Sequence, residues 1–377
     1  MKKFKFGTMP DGTQVDAVVL ENTNGVSVTV ITYGAKLQSI VIPDKNDQPV
    51  DVALGFDTLE GYLADGSHTG GVVGRCANRI SKAYCVIDGM RYELEKNSDG
   101  NNIHSGANNS DMKVWEIVDT GREEAVPGVH KTPWSSDARE WVTLKTFSAD
   151  REQGFPGNLT TTLTYFLTEG NELVMEITAV PDAKTVVNYT NHSYFNLNGH
   201  DALTLDEIKT KIAADYFTPT DATLIPTGEL RSVSGTPMDF RKAADLGGRL
   251  KEYKALVEEE GDVYPPMKIA SGYDHNFVIN DEDVIGPLNL ACDLYSVRTG
   301  IELCFYTDLP GVQLYTANHY KDKVGKGGTE YVPYGAFCIE PQFFPDSINN
   351  PAFANPLFTE EEPFKSVSCY AFSVNKD

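Results

Sequence analysis

Basic residues are scarce in this chain. Its 377 residues include 32 Lys and Arg against 54 Asp and Glu, a net charge of −22. That balance argues against nucleic acid or an anionic membrane surface as a partner, and a neutral ligand suits it better than a phosphorylated one. Long apolar runs are missing too. No stretch approaches the roughly 18 apolar residues of a spanning helix, so no membrane-crossing helix is expected. The opening Met-Lys-Lys-Phe-Lys-Phe-Gly-Thr has no apolar core of a secretory leader. The six cysteines show no C-x-x-C spacing and several sit inside apolar runs, as expected of buried, reduced thiols in a cytoplasmic protein. The seven histidines form no H-x-x-x-H pair, so spacing gives no zinc motif. No dinucleotide fingerprint, phosphate loop or G-x-S-x-G elbow occurs, which argues against nucleotide chemistry and acyl transfer.

Helical periodicity is also sparse. Only residues 241–246 and 248–260 read as short helices. What fills the chain instead is two-residue alternation. Val26, Val28 and Val30 alternate with polar neighbours; residues 84–94 read as a hairpin around Asp88-Gly89; residues 159–180 form a second pair about Gly170-Asn171. Residues 301–307, 312–316 and 369–374 continue the pattern. Many closely spaced strands with Gly, Pro, Asn and Asp turns predict an all-β fold, a large antiparallel β-sandwich in one domain spanning 1–377. No repeat or linker divides it. Residues 119–139 and 257–266 are polar and read as surface excursions.

Polar residues break the apolar runs at a few places. Gly74-Arg-Cys-Ala-Asn-Arg-Ile80 presents Asn78 and Arg79 together, and Asn101-Asn-Ile-His-Ser-Gly106 sets His104 in a loop. Tyr189-Thr-Asn-His-Ser-Tyr-Phe-Asn-Leu197 carries His192 and Tyr194, alternating onto one face if the segment is a strand. Asp274 and His275 enter the apolar run at 273–279. Within residues 335–351, Gly-Ala-Phe-Cys-Ile-Glu-Pro-Gln-Phe-Phe-Pro-Asp-Ser-Ile-Asn-Asn-Pro, Ala336 to Ile339 read as a buried strand that ends at Glu340, because Pro341 cannot continue a ladder. The irregular loop that follows would hold that carboxylate in place. Taken singly, each of these residues also has an ordinary structural explanation: a core histidine, a surface ion pair, a turn cap.

Together the segments resemble the aldose 1-epimerase (galactose mutarotase) family. The resemblance runs from Ile31-Thr-Tyr-Gly-Ala-Lys-Leu-Gln-Ser-Ile40 through Leu54-Gly-Phe-Asp-Thr-Leu-Glu-Gly-Tyr62, Gly154-Phe-Pro-Gly157, Thr236-Pro-Met-Asp-Phe-Arg241 and Gly311-Val-Gln-Leu-Tyr-Thr-Ala-Asn318 to Glu-Pro-Gln-Phe-Phe-Pro-Asp-Ser-Ile-Asn. It implies a β-sandwich of the galactose mutarotase type that exchanges the α- and β-anomers of a free aldose. On matching positions, it implies Glu340 as general base, His192 as general acid, and Asn78, Arg79, His104, Tyr194, Asp274 and Gln313 as sugar contacts. It implies no cofactor and no metal, and a monomer or homodimer.

The reaction explains those residue types. Anomers exchange through the open-chain aldehyde, so one group must take the C1 hydroxyl proton while another protonates the ring oxygen, and both must reverse on closure. Ser105, where the family often has a second glycine, Cys76, and the length of residues 119–139 depart from the pattern; none touches the implied acid or base. Three other readings use the same residues. A non-catalytic carbohydrate-binding domain would not need both Glu340 and His192. A hexose-6-phosphate 1-epimerase calls for clustered cations, and only Arg79 lies in a matched motif. A glycosidase would pair Glu340 with a second carboxylate such as Asp274, which leaves the histidine unexplained.

Overall fold

The computed structural model describes residues 1–123, 139–260, 265–281 and 284–376, with side chains omitted at 256–260. Three antiparallel sheets organise it. The first is a five-stranded meander built from Lys2–Thr8, Gln14–Glu21, Ser27–Ile31, Lys36–Pro43 and Pro49–Asp51. Alternation does this directly: Val28 and Val30 are buried while Ser27 and Thr29 are half-buried. The second sheet has nine strands, ordered Glu116–Glu123, Arg139–Ser148, Leu159–Thr168, Glu172–Pro181, Phe364–Val374, Ile301–Thr307, Asn289–Ser296, Ile208–Ile212 and Ala244–Asp245. Leu159, Leu163 and Tyr165 of its third strand point inward, with Thr160, Thr162 and Thr164 on the wetter face. One apolar cluster draws on all three sheets, through residues such as Val28, Leu163 and Phe277.

The third sheet carries the chemistry. Its order is Arg231–Ser232, Tyr216–Phe217, Asp274–Val278, Gly311–Tyr315 and Cys338–Gln342. Here the expected stop at Glu340 is wrong. The strand starts at Cys338, not Ala336, and runs through Glu340 and Pro341 to Gln342, with Glu340 opposite Gln313 and Pro341 opposite Val312. It lies at the edge of the sheet, so a residue without an N–H is tolerated there. The loop beyond it also acts elsewhere than expected. Asp346 donates its backbone N–H to the Arg79 carbonyl (2.9 Å) and accepts from the Ser81 N–H (2.9 Å). It braces the arginine segment.

Two helix expectations change. The helix runs Leu246–Glu260, while residues 241–246 contribute the strand Ala244–Asp245 instead, because Ala244 and Asp245 pair with Thr210 and Lys209. Residues 257–266 are not wholly a loop: that helix reaches Glu260 and another, Pro265–Ala270, begins at Pro265. The short helix Leu59–Leu63 was not foreseen. Of the 119–139 excursion, the ends are strand and residues 124–138 lie outside the described residues. The hairpin about Asp88-Gly89 forms as read, with Ile87 facing Met90. All six cysteines are free thiols. Among the described residues no helix is long and apolar enough to cross a membrane.

Candidate active site

The segments that looked unrelated along the chain converge on one cleft of about 300 Å³, at the small end of the range for ligand pockets, about 300–1,000 Å³. Asn78, Arg79, His104, His192, Tyr194, Asp274 and Glu340 all line it. A larger hollow of about 810 Å³ lies between residues 235–244 and the helix Leu246–Glu260, away from Glu340 and His192. Its Asp239 and Arg241 side chains pair with each other, and none of the implied acid, base or sugar contacts lines it.

At the floor of the cleft, His192 Nε2 stands 3.7 Å from Glu340 Oε2, within ion-pair reach but beyond a hydrogen bond. Both side chains are nearly inaccessible, 7% and 4% exposed. Burial outweighs their attraction. It pushes the Glu340 carboxyl well above its usual range, with Asp274 adding repulsion and Arg79 opposing. It drives His192 down to about 4, helped by the neighbouring His68. Each change sharpens a role, since a raised carboxyl is a stronger base and a depressed imidazolium a stronger acid. The His192 backbone is fixed by exchange with the neighbouring loop: it donates to the Gly71 carbonyl (2.8 Å) and accepts from Gly70 N–H (3.0 Å). Its ring stacks on Tyr194 at 5.1 Å between centroids, as alternation suggested, although the strand itself ends at Asn191. Tyr194 in turn donates its hydroxyl to the Ser67 carbonyl (3.1 Å).

His104 is held by hydrogen bonds with Asn78. Its backbone N–H donates to the Asn78 carbonyl (2.9 Å), and its Nδ1 lies 3.2 Å from the Asn78 N–H. A ring nitrogen that accepts there leaves the proton on Nε2, so this imidazole is a donor toward the cleft. Burial, then His68 and His192, keep it neutral by lowering its pKa well below 6.5. Asn78 and His104 both adopt positive φ, 60° and 50°, a conformation that costs about 1–3 kcal/mol in non-glycine residues and clusters at functional sites. Ser105, the departure beside His104, is buried; its hydroxyl accepts from Cys76 N–H (2.7 Å) and donates to the Cys76 carbonyl (3.0 Å). The two departures thus tie the segments 74–80 and 101–106 together.

Arg79 faces Asp274 at 3.6 Å, and its Nε is buried without a partner among the described residues. Beneath them runs a chain of amides. Asn78 Nδ2 donates to Gln342 Oε1 (3.2 Å), Gln342 Nε2 to Gln313 Oε1 (2.8 Å), and Gln313 Nε2 to Asp274 Oδ1 (2.7 Å). Gln313 therefore does not line the cleft; both ends of its amide are used below the floor, orienting Asp274. His275, next to Asp274, is a fully buried core residue whose Nδ1 accepts from Asp274 N–H (3.1 Å).

Sequence reading missed several neighbours. Gln342 lay inside the motif without a role. Tyr315 and His319 join the wall. His68 enters it from a polar loop, backed by Asp111 at 3.1 Å and by Lys36, which contacts Asp111 at 2.8 Å. Nothing in the spacing of Lys36, His68 and Asp111 pointed to one cluster. The fold also brings ligand-capable atoms of His192, Cys338 and Glu340 within 4.8 Å of one another. Burial keeps the Cys338 thiol protonated, which makes it a weak ligand.

The family model for aldose 1-epimerase matches residues 16–368. The chain belongs to the aldose 1-epimerase family. A galactose mutarotase from Bos taurus is 33% identical over 372 residues, covering 98% of this chain and 97% of the relative. The aldose 1-epimerase of Escherichia coli K12 is 30% identical, covering 96% of each. Among solved structures, an aldose epimerase homologue from C. elegans superposes with a TM-score of 0.81 at 29% identity, covering 95% of this chain and 98% of its own. Galactose 1-epimerase from Lactobacillus acidophilus gives 0.78 at 26% identity, covering 99% and 98%. This aldose 1-epimerase thus has the galactose mutarotase fold over nearly its whole length.

Proposed function

We propose that this aldose 1-epimerase interconverts the α- and β-anomers of a free aldohexose such as galactose or glucose, with Glu340 as base and His192 as acid. The observation that carries the assignment is their 3.7 Å approach at the floor of a cleft lined by hydrogen-bonding groups. The pair shares one proton. When the C1 hydroxyl donates to Glu340, the ionised carboxylate is favoured and the shared proton resides on His192. Glu340 then takes the hydroxyl proton, the C1–O5 bond breaks as C1=O1 forms, and His192 protonates O5. Rotation about C1–C2 presents the other face; O5 attacks, returns its proton to His192, and O1 recovers one from Glu340. No proton is gained or lost. Opening leaves both side chains uncharged, the arrangement that their burial favours.

In this reading Arg79 and the Nε2–H of His104 donate to sugar oxygens on which charge develops. Asn78 and Asp274 hold hydroxyls, Tyr194 fixes the His192 ring, and Gln313 acts by orienting Asp274. No cofactor or metal takes part in these steps. A cytoplasmic setting is supported by the six free thiols; monomer and homodimer both suit the reading. The test is polarimetry of freshly dissolved α-D-glucose and α-D-galactose with purified protein. Acceleration of either sugar's mutarotation is expected; none above buffer would leave a carbohydrate-binding domain as the better reading.

A further inference from the structure

We propose that His68 is a third sugar-contacting imidazole, which hydrogen-bonds an aldose hydroxyl other than the anomeric one and so contributes to sugar selection. The inference rests on the mutarotase reading and adds a residue to it. His68 lines the cleft, its ring centroid 4.9 Å from His104 and 6.0 Å from His192, and its side chain is 23% exposed.

Its orientation is dictated from behind. Nδ1 lies 3.1 Å from Asp111 Oδ1, and the other Asp111 oxygen lies 2.8 Å from Lys36 Nζ. Asp111 and Lys36 are essentially inaccessible. Although burial opposes ionisation of Asp111, Lys36 and His68 together hold its carboxyl well below the usual range. An ionised carboxylate only accepts, so Nδ1 carries a proton toward Asp111 and Nε2 lies on the opposite edge of the ring. Nε2 has no partner among the described residues. His104 and His68 thus each have Nδ1 engaged behind the ring and leave Nε2 for the cleft.

The backbone at this point is equally constrained. His68 has φ 58°, a strained conformation for a non-glycine residue. Asp65 holds it by accepting from Ser67 N–H (3.0 Å) and Thr69 N–H (2.9 Å), and the His68 carbonyl accepts from Gly71 N–H (2.9 Å). Gly71 has no room for a side chain: a Cβ there would meet Asp111 Cβ at 2.6 Å and Lys36 Nζ at 2.8 Å. A buried ion pair is often no better for stability than an apolar pair of the same volume. Its placement behind a strained cleft histidine is accounted for by aiming that ring. Because Glu340 and His192 supply both proton transfers, His68 is left to bind.

The experiment compares wild type with His68→Phe on the parent aldohexose and its 2-, 3-, 4- and 6-deoxy analogues, reading kcat/KM by polarimetry. In wild type, removing the hydroxyl that His68 reads should lower kcat/KM roughly 3- to 10-fold, the worth of one hydrogen bond. His68→Phe should lose about the same factor on the parent sugar and nothing further on that one analogue, while its penalties on the other analogues stay as in wild type. His68→Gln, which keeps a hydrogen-bonding group, should restore part of the discrimination. Uniform loss across the whole panel, or no loss on the parent, overturns the proposal, since a merely structural residue would not distinguish one hydroxyl. If His68→Phe lacks the thermal transition of the parent protein, His68→Leu takes its place in the same panel. Failure of the mutarotase reading looks different: the wild-type protein then accelerates none of the five sugars.

Discussion

A carboxylate and an imidazole can exchange roles only if the same proton is affordable on either. Glu340 and His192 meet that demand by being dry and adjacent, one pushed up and the other down to about 4. Glu340→Gln keeps the shape and removes the base. We expect mutarotation to fall by roughly 10²- to 10⁴-fold, with a melting temperature no lower than the parent's, because a buried carboxyl is replaced by an uncharged isostere. Polarimetry and a thermal melt on the same preparation check both; near-parental activity would remove Glu340 from the mechanism. His192→Asn should be similarly severe. The pH profile follows from the shared proton. The active form holds one proton on the pair, so activity is lost on acidification when a second is added, and that limb should fall toward pH 4, not 6.5. The alkaline limb should follow the raised Glu340. An acid limb centred near 6.5 in kcat/KM would contradict the burial argument.

At the scale of elements, the site is a junction. The edge strand Cys338–Gln342 carries the base, Asp274–Val278 the partner of Arg79, and the loops at 65–71 and 101–106 the other imidazoles. Asp346 closes this junction by holding Arg79 and Ser81. We expect Asp346→Ala to destabilise the protein by about 1–3 kcal/mol, since it leaves the Ser81 N–H unpaired and puts alanine at φ 59°. It should also raise KM more than it lowers kcat, which steady-state polarimetry with a melt would show; unchanged KM would mean that the Asp346 side chain does not set the position of Arg79. The same junction explains which parts were legible. Glu340, His192 and Asp274 stand out because polar side chains interrupt apolar alternation, and alternation is set locally. Pro341 was misread because a strand's place at the edge of a sheet is not a local property. Lys36, His68 and Asp111 lie 32 and 43 positions apart along the chain, and only the fold makes them neighbours. Residues 241–246 have helical spacing, but pairing with residues 209–210 wins.

At the scale of the molecule, three histidines among the described residues are buried and neutral: His104, His192 and His275. Their pKa values are lower folded than unfolded, so between about 4 and 6.5 the unfolded chain binds more protons, and stability rises with pH through that window. Acidification from 6.5 toward 4 should therefore destabilise the fold. His275, held at about 4 by burial, contributes up to about 3 kcal/mol of this. His275→Gln should flatten the dependence of unfolding free energy on pH by close to one proton in that window, measured by urea titrations at pH 7 and 5. An unaltered slope would show that His275 charges freely in the folded protein.

The amide chain from Asn78 to Asp274 has one more consequence. Each link has a donor end and an acceptor end, and the carboxylate at its terminus can only accept, so the direction of every member is settled by the last. Exchanging any single member for its acid turns a giver into a taker and sets two acceptors against each other. Lineages that drift at these positions must therefore change them in concert.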